Sequence, residues 1–149
     1  MILWRISNHA SLDGSGGLLA SARWNFRGHP VVYLAESPPG ALLEVLVHLE
    51  LDFSALPKSY KMLKVEAADD ITIKAIDESG LSARWHQDVD ATRSVGTEWL
   101  VSGETVLLRV PSVIVPETYN LLLNPRHPAA ARLVILWHRE YPWDSRLLS

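Results

Sequence analysis

The stretch Thr105–Pro125, TVLLRVPSVIVPETYNLLLNP, decides how this chain folds. It holds two apolar runs, Thr105–Val110 and Tyr119–Leu123, and each has the length and composition of a buried strand. Pro111 interrupts the first run, because proline cannot donate to a sheet ladder. Val113–Val115 is predicted to continue that strand beyond the break. The stretch therefore supplies two of the chain's strands.

Five more segments have the composition of strands: Ile2–Ile6, Val31–Leu34, Lys61–Glu66, Ile71–Ala75 and Leu133–Trp137. The predicted strands outnumber the predicted helices and do not alternate with them regularly. This order favours an α+β fold with a mainly antiparallel sheet over a doubly wound parallel sheet.

Two helices are predicted. The first begins at Ser37-Pro38-Pro39, because serine is a good N-cap and proline is tolerated in the first turn. It continues to Leu49 and is apolar on almost every side, which predicts that it is buried. The second helix spans Asp88–Val101 and stops at Gly103. The glycine-rich segment Asn8–Gly17 is predicted to be a flexible loop.

The composition limits the class of protein. With 149 residues, 48% of them hydrophobic and 21% charged, the chain fits one globular domain. It has no cysteine, which excludes disulfides and thiolate metal sites and favours the cytoplasm. The N-terminal residues MILWRIS predict no secretory signal, and no apolar run has the length of a membrane span. The net charge of −3 argues against a broad nucleic-acid surface.

Glu44 and His48 interrupt the apolar first helix, and their spacing of four residues places them on one face. A carboxylate is costly to bury unless it is paired or hydrogen-bonded. Glu44 therefore either makes a structural ion pair at the rim of the core or lines a cleft. The pair could also supply two metal ligands, but no third ligand accompanies them at helical spacing. No metal site is therefore predicted.

The segment RWNFRGH, which starts at Arg23, has the residues of a ligand-binding loop. Guanidinium groups match phosphate oxygens, and aromatic rings stack on bases. Arg23, Trp24, Asn25 and Arg27 are therefore candidate contacts to a ligand that carries phosphate and a flat ring. The alternative is an exposed loop with a tryptophan tucked under it. Single-stranded RNA would be bound by the same residue types, but the negative net charge disfavours it.

Three further polar residues have both a structural and a functional interpretation. Tyr33 is either a core tyrosine with a satisfied hydroxyl or a ring that stacks on a flat substrate. Ser112 is not part of a GxSxG nucleophile elbow, so it is either a hydrogen-bond donor to substrate or a satisfied hydroxyl at a strand break. Asn124 precedes Pro125, which indicates a turn first and a ligand contact second.

Taken in order, these motifs resemble the RES domain, a family of bacterial toxins named for an arginine, a glutamate and a serine. The resemblance covers nearly the whole chain, so residues 1–149 are interpreted as one RES domain. The residues that carry it are Arg23-Trp24-Asn25, Gly28, Tyr33, Ala41-x-x-Glu44, Arg93-x-x-Gly96-x-x-Trp99, Val110-Pro111-Ser112, Asn120, Asn124-Pro125-x-His127-Pro128 and Asp144-x-Arg146-Leu147.

The resemblance implies a fold similar to that of the ADP-ribosyltransferase toxins, which is a split, mainly antiparallel sheet with a cleft for NAD. It implies a toxin that depletes NAD by hydrolysis or phosphorolysis of the nicotinamide–ribose bond. NAD would be the substrate, inorganic phosphate an optional co-substrate, and no cofactor is implied. Because the bond breaks through an oxocarbenium-like state, the site needs a carboxylate near the sugar more than a strong acid.

The resemblance also assigns roles to the residues. Glu44 would bind a ribose hydroxyl or orient water or phosphate, Arg23 would clamp the pyrophosphate, and Tyr33 would stack on nicotinamide. Ser112 would fix a ribose hydroxyl or the carboxamide. The further substrate contacts would be Trp24, Asn25, Arg27, His48 and Asn124.

The implied partner is a cognate antitoxin with an Xre-like helix-turn-helix domain, which would occlude the active site. The toxin could be a homodimer within that complex, and neither direct nucleic-acid binding nor membrane binding is expected. Three alternatives stay open: a protein mono-ADP-ribosyltransferase toxin, an RNA-targeting toxin and a non-catalytic binding module. NAD-derived label on a macromolecule would indicate the first, and degraded RNA with unchanged NAD the second. Tolerance of substitution at Glu44 would indicate the third.

Overall fold

A computed structural model of the chain describes residues 1–48 and 58–147, and of His48 it describes only the backbone. The strands are β1 (Ile2–Ser7), β2 (Val32–Ala35), β3 (Ser59–Ala67), β4 (Ile73–Ala75), β5 (Leu107–Pro111), β6 (Tyr119–Leu123) and β7 (Leu133–Pro142). The α-helices are α1 (Ser15–Leu19), α2 (Pro38–His48) and α3 (Val89–Ser102), with short 3₁₀ turns at Glu78–Gly80, Pro128–Arg132 and Ser145–Leu147.

The seven described strands form one sheet in the order β4-β5-β6-β2-β1-β3-β7. Every pair of neighbours is antiparallel except β4 and β5. The predicted α+β fold with a mainly antiparallel sheet is confirmed. No helix among the residues described is both long enough and apolar enough to cross a bilayer.

The sheet is split between its two central strands. β1 is paired with β3 along its whole length, but it is joined to β2 at one residue pair, Trp4 with Ala35. Next to that pair, Nη1 of Arg5 donates to the carbonyl oxygen of Tyr33 at 3.2 Å, so a side chain bonds where the backbone ladder stops. The two halves of the sheet separate at this point, as the predicted split sheet requires.

Apolar side chains cover one face of the sheet and, around β5 and β6, the other face as well. One cluster surrounds Leu3, Leu63 and Leu121, and the other surrounds Trp24 and Trp99. The long apolar strands β5 and β6 contribute to both clusters because side chains alternate between the two faces of a strand. The stretch that holds them is therefore the centre of the core.

The predicted helix signals at Ser37, Asp88 and Gly103 are confirmed by the structure. Oγ of Ser37 accepts the N–H of Gly40 at 3.1 Å at the start of α2. Asp88 caps α3 by accepting the N–H of Ala91 at 3.1 Å, and Gly103 ends it with a φ of 62°. The left-handed conformation of Gly103 is the common helix stop.

Two predictions about local structure are wrong. The predicted flexible loop contains α1, and Gly14 is closely packed there, since a Cβ at Gly14 would lie 2.7 Å from the nitrogen of Val31. Val113–Val115 does not continue β5 as a strand, because the side chain of Ser112 accepts backbone N–H groups and turns the chain.

Candidate active site

A cleft of about 230 Å³ opens where β1 and β2 separate, beside α2, which packs on both strands. Its walls are mainly apolar. Of the described side chains that line it, those of Glu44 and Arg5 are charged. The lining residues are Trp4, Arg5, Ile6, Ala22, Tyr33, Leu34, Ala35, Ala41, Glu44, Val45 and Asn120. Two of the predicted catalytic residues, Glu44 and Tyr33, therefore share one cavity.

Glu44 is held in the cleft by Ser112. Oγ of Ser112 donates to Oε1 of Glu44 at 2.8 Å and joins α2 to the end of β5. The same oxygen accepts the N–H groups of Ile114 and Val115, each at 3.2 Å. Because both lone pairs of the hydroxyl are occupied, its proton points to the carboxylate. Ser112 is fully buried behind Glu44, so its hydroxyl reaches the carboxylate and not the cleft.

Tyr33 presents its ring to the cleft and its hydroxyl to the protein. The hydroxyl donates to Oδ1 of Asn25 at 2.6 Å and accepts the N–H of Trp24 at 3.1 Å. Burial raises the pKa of the Tyr33 phenol well above its ordinary value of 10.0. The hydroxyl is therefore neutral and already bonded, and the ring face is the part that is suited to bind a ligand.

Trp24 and Asn25 have structural roles in this arrangement. Trp24 is 2% exposed and packs against Trp85 at a ring separation of 6.1 Å. Asn25 is fully buried and donates to the carbonyl oxygens of Ala20 and Phe26 at 3.3 and 3.2 Å. Neither side chain lines the cleft. Of the two interpretations of this segment, the loop with a tryptophan packed beneath it is therefore correct for Trp24.

Arg23 lies beside the cleft. Its Nη2 donates to the carbonyl oxygen of His86, and Ala22, the preceding residue, lines the cleft wall. Burial lowers the pKa of Arg23, and the positive charge of Arg93 lowers it further. The guanidinium is thus partly desolvated and repelled by a like charge, and an anion near Arg23 would offset both effects.

The remaining predicted contacts lie outside the cleft or outside the described residues. Arg27 is exposed, and its backbone N–H donates to Oγ of Ser21 at 2.8 Å. Asn124 donates to the carbonyl oxygen of Leu100 at 3.1 Å, which ties the end of β6 to α3 and places its side chain away from Glu44. The side chain of His48 lies outside the described part of the chain.

Arg5 is a cleft residue that the sequence reasoning missed. It comes from β1, lines the cleft opposite Glu44's helix, and has a buried Nε without a hydrogen-bond partner among the described residues. Burial lowers its pKa, and the carboxylate of Asp13 opposes that effect. The available signal was a lone arginine in the apolar string ILWRIS, which is the same kind of signal that identified Glu44.

Three arginines lie in or near the cleft, and their guanidinium groups bond to backbone oxygens. Arg5, Arg23 and Arg93 each donate to a backbone carbonyl. Within residues 1–48 and 58–147, none of the three forms an ion pair with a carboxylate. The same residues contain no cluster of side chains able to hold a metal ion. The site is therefore suited to an anionic ligand with a flat ring.

The chain matches known proteins over nearly its whole length. A family model described as "RES domain" matches residues 2–144. The chain is 47% identical over 147 residues to "Toxin Res" of Pseudomonas putida, and the match covers 99% of each chain. It is 35% identical over 155 residues to "Prs ADP-ribosylating toxin" of a Sphingobium species, covering 97% of this chain and 95% of the other.

The fold is also similar to a chain in the crystal structure of the M. tuberculosis MbcT–MbcA toxin–antitoxin complex. The TM-score is 0.73 at 17% identity, and the superposition covers 95% of this chain and 84% of that one. At this identity the likeness establishes a shared fold.

Proposed function

This chain belongs to the RES domain family, as its motifs predicted, and on that basis we propose that it is a toxin that degrades NAD. The reaction is cleavage of the bond between nicotinamide and ribose. The observation that carries the proposal is the hydrogen bond from buried Ser112 to Glu44, which fixes one carboxylate in a mostly apolar cleft. The neighbouring arginines supply the charge that a dinucleotide's phosphates require.

The main requirement of this bond cleavage is a carboxylate near the ribose. When the bond between C1′ and the pyridinium nitrogen breaks, its electron pair stays with nicotinamide, which leaves as a neutral molecule. The positive charge passes to the ribose as an oxocarbenium-like state. Oε1 of Glu44 accepts from Ser112, and Oε2, which accepts no hydrogen bond from the described residues, would bind a ribose hydroxyl. A water oxygen then bonds to C1′ and loses a proton, or a phosphate oxygen bonds there instead.

The other residues bind the substrate in this proposal. Tyr33 stacks its ring on nicotinamide, with its hydroxyl held by Asn25. Arg5 and Arg23 bind the pyrophosphate. The Nε of Arg5 is buried and donates to no described residue, and the guanidinium of Arg23 is partly desolvated. Arginine is suited to this role because its planar fork matches phosphate oxygens.

The test is incubation of the purified protein with NAD, with and without inorganic phosphate, followed by product identification. Hydrolysis yields nicotinamide and ADP-ribose, and phosphorolysis yields nicotinamide and phosphorylated ADP-ribose. Glu44→Gln is expected to lower the rate about 10²–10³-fold, the usual effect of removing one preorganised electrostatic contact. Glu98→Gln, at an exposed glutamate on α3, is the control and should match the parent protein. A folded Glu44→Gln protein that consumes NAD at the parent rate would exclude this mechanism.

Transfer of ADP-ribose to a protein is the second candidate, because a relative at 35% identity is named an ADP-ribosylating toxin. Radiolabelled NAD separates the two. Label in free ADP-ribose or its phosphate supports degradation, and label on a macromolecule supports transfer. RNA cleavage with unchanged NAD would contradict both.

We also propose that a cognate helix-turn-helix antitoxin covers the cleft in the cytoplasm. The support for a partner is the similar fold found in a toxin–antitoxin complex. An antitoxin that reached the cleft would block both Tyr33 and Glu44 from the substrate.

A further inference from the structure

One face of helix α3 holds the backbone of residues 22–26. Oγ1 of Thr92 lies 2.7 Å from the carbonyl oxygen of Arg23 and 3.0 Å from that of Val89 in its own helix, so the shorter bond joins the helix to the segment. Five residues later, Oγ1 of Thr97 accepts the N–H of Phe26 at 2.9 Å. Thr92 is fully buried, which makes its bond hard to replace with water.

Two more residues of the same helix complete this contact. Nε of Arg93 donates to the carbonyl oxygen of Ala22 at 2.8 Å, at the wall of the cleft. Gly96 packs directly on the segment, since a Cβ there would lie 1.8 Å from the carbonyl oxygen of Trp24. Any side chain at Gly96 would therefore push α3 and the segment apart.

The segment in turn fixes the Tyr33 side chain. The N–H of Trp24 and Oδ1 of Asn25 occupy the acceptor and donor positions of the Tyr33 hydroxyl. A continuous chain of bonds thus runs from Thr92, through residues 22–26, to a ring that lines the cleft. Neither Thr92 nor Gly96 lines the cleft itself.

We propose that Thr92 and Gly96 are positioning residues that set the orientation of the Tyr33 ring for stacking on the substrate's flat ring. The inference rests on the proposed function for its substrate. It adds to the site two residues of α3 that do not line the cleft. Displacing a binding group by about 1 Å can cost on the order of 10²-fold in kcat/KM, so a small shift of the segment is enough to matter.

The first test compares Thr92→Val with Thr92→Ser. Valine keeps the shape and removes the hydroxyl, so KM for NAD should rise and kcat/KM should fall by about 10²-fold. Serine keeps the hydroxyl and should restore values near the parent protein. A purely structural role would lower only the folded fraction and leave KM unchanged, and that result, or an equal loss in Thr92→Ser, would overturn the proposal.

A second readout does not depend on NAD. Burial raises the pKa of the Tyr33 phenol, so this phenol should ionise above its ordinary value in an ultraviolet titration of the folded protein. A shift of residues 22–26 in Thr92→Val should let water reach the phenol and so reduce the burial that is the main cause of its raised pKa. One tyrosine should therefore ionise at lower pH in Thr92→Val than in the parent protein, and in Thr92→Ser it should not. Unchanged titration in Thr92→Val would overturn the positioning role, whereas a parent protein that leaves NAD intact would overturn only the proposed function.

Gly96→Ala tests the close approach, and Gly16→Ala is its matched control. Gly16 is also a helical glycine near the segment, but a Cβ there meets no atom within 4 Å. Gly96→Ala should shift the tyrosine titration and raise KM, while Gly16→Ala should do neither. Equal behaviour of the two variants would contradict the role of Gly96.

Discussion

At the scale of single residues, Ser112 and Glu44 form one unit. The serine hydroxyl accepts two backbone N–H groups and donates to the carboxylate. Ser112→Ala removes the donor and leaves the two N–H groups without that acceptor, so it should cost about 1–3 kcal/mol of unfolding free energy. It should also lower kcat more than it changes KM, because Ser112 does not line the cleft. Chemical denaturation and steady-state kinetics measure the two effects.

A double-mutant cycle checks the coupling of this pair. The effects on kcat of Ser112→Ala and Glu44→Gln should be far from additive, since each removes part of the same arrangement. If the two effects add, Ser112 acts on the reaction through some group other than Glu44.

Single residues also show which parts of the site could be predicted from the sequence. Glu44 was predicted because a charged side chain on an apolar helix is costly to bury. The argument applied equally to Arg5 in its apolar strand, but a long arginine can extend its head to water. Only the position of Arg5 at the split in the sheet shows that its head stays inside. Trp24 and Asn124 have the right residue types for ligand contacts, and their hydrogen bonds and packing place them elsewhere.

At the scale of elements, contiguous apolar runs were predictable and polar segments were not. β5 and β6 lie where their sequences indicate, because strands buried on both faces are apolar throughout. β7 was predicted to end at Trp137 and continues to Pro142. Its last residues are polar and still pair with β3, since an edge strand can keep solvent-facing side chains.

Glycine conformation gives a prediction at the element scale. Gly14 and Gly103 both have left-handed backbones, with φ values of 73° and 62°. A Cβ at Gly103 meets no atom within 4 Å, whereas at Gly14 it would lie 2.7 Å from the nitrogen of Val31. Gly103→Ala should therefore cost roughly 1–2 kcal/mol for the backbone alone, and Gly14→Ala should cost clearly more. Urea denaturation of both variants measures the difference in unfolding free energy. Equal losses would mean that the backbone around Gly14 and Val31 moves apart at no cost.

At the scale of the whole molecule, the split sheet leaves a cleft between the central strands of one small domain. The order of strands could not be read from composition or periodicity, because pairing depends on contacts between distant segments. The resemblance to a known family implied only a split, mainly antiparallel sheet, and the order itself comes from the structure. What the family could not supply is the local charge balance. Within residues 1–48 and 58–147, Arg5, Arg23 and Arg93 form no ion pair with a carboxylate, although the chain as a whole carries −3.

That imbalance predicts that an anionic ligand stabilises the fold. In Glu44→Gln, where turnover is slow, NAD at a concentration 100 times its Kd should add about 2.7 kcal/mol of stability. For a domain of this size that corresponds to a rise in Tm of roughly 5–10 °C. Nicotinamide alone, which lacks the phosphates, is the matched control and should give a smaller rise at the same concentration.

The same measurement tests occlusion by the antitoxin. If the antitoxin covers the cleft, NAD should give no further rise in Tm once the complex has formed, because both ligands compete for the surface around Glu44 and Tyr33. Additive rises would mean that the antitoxin binds elsewhere on the molecule.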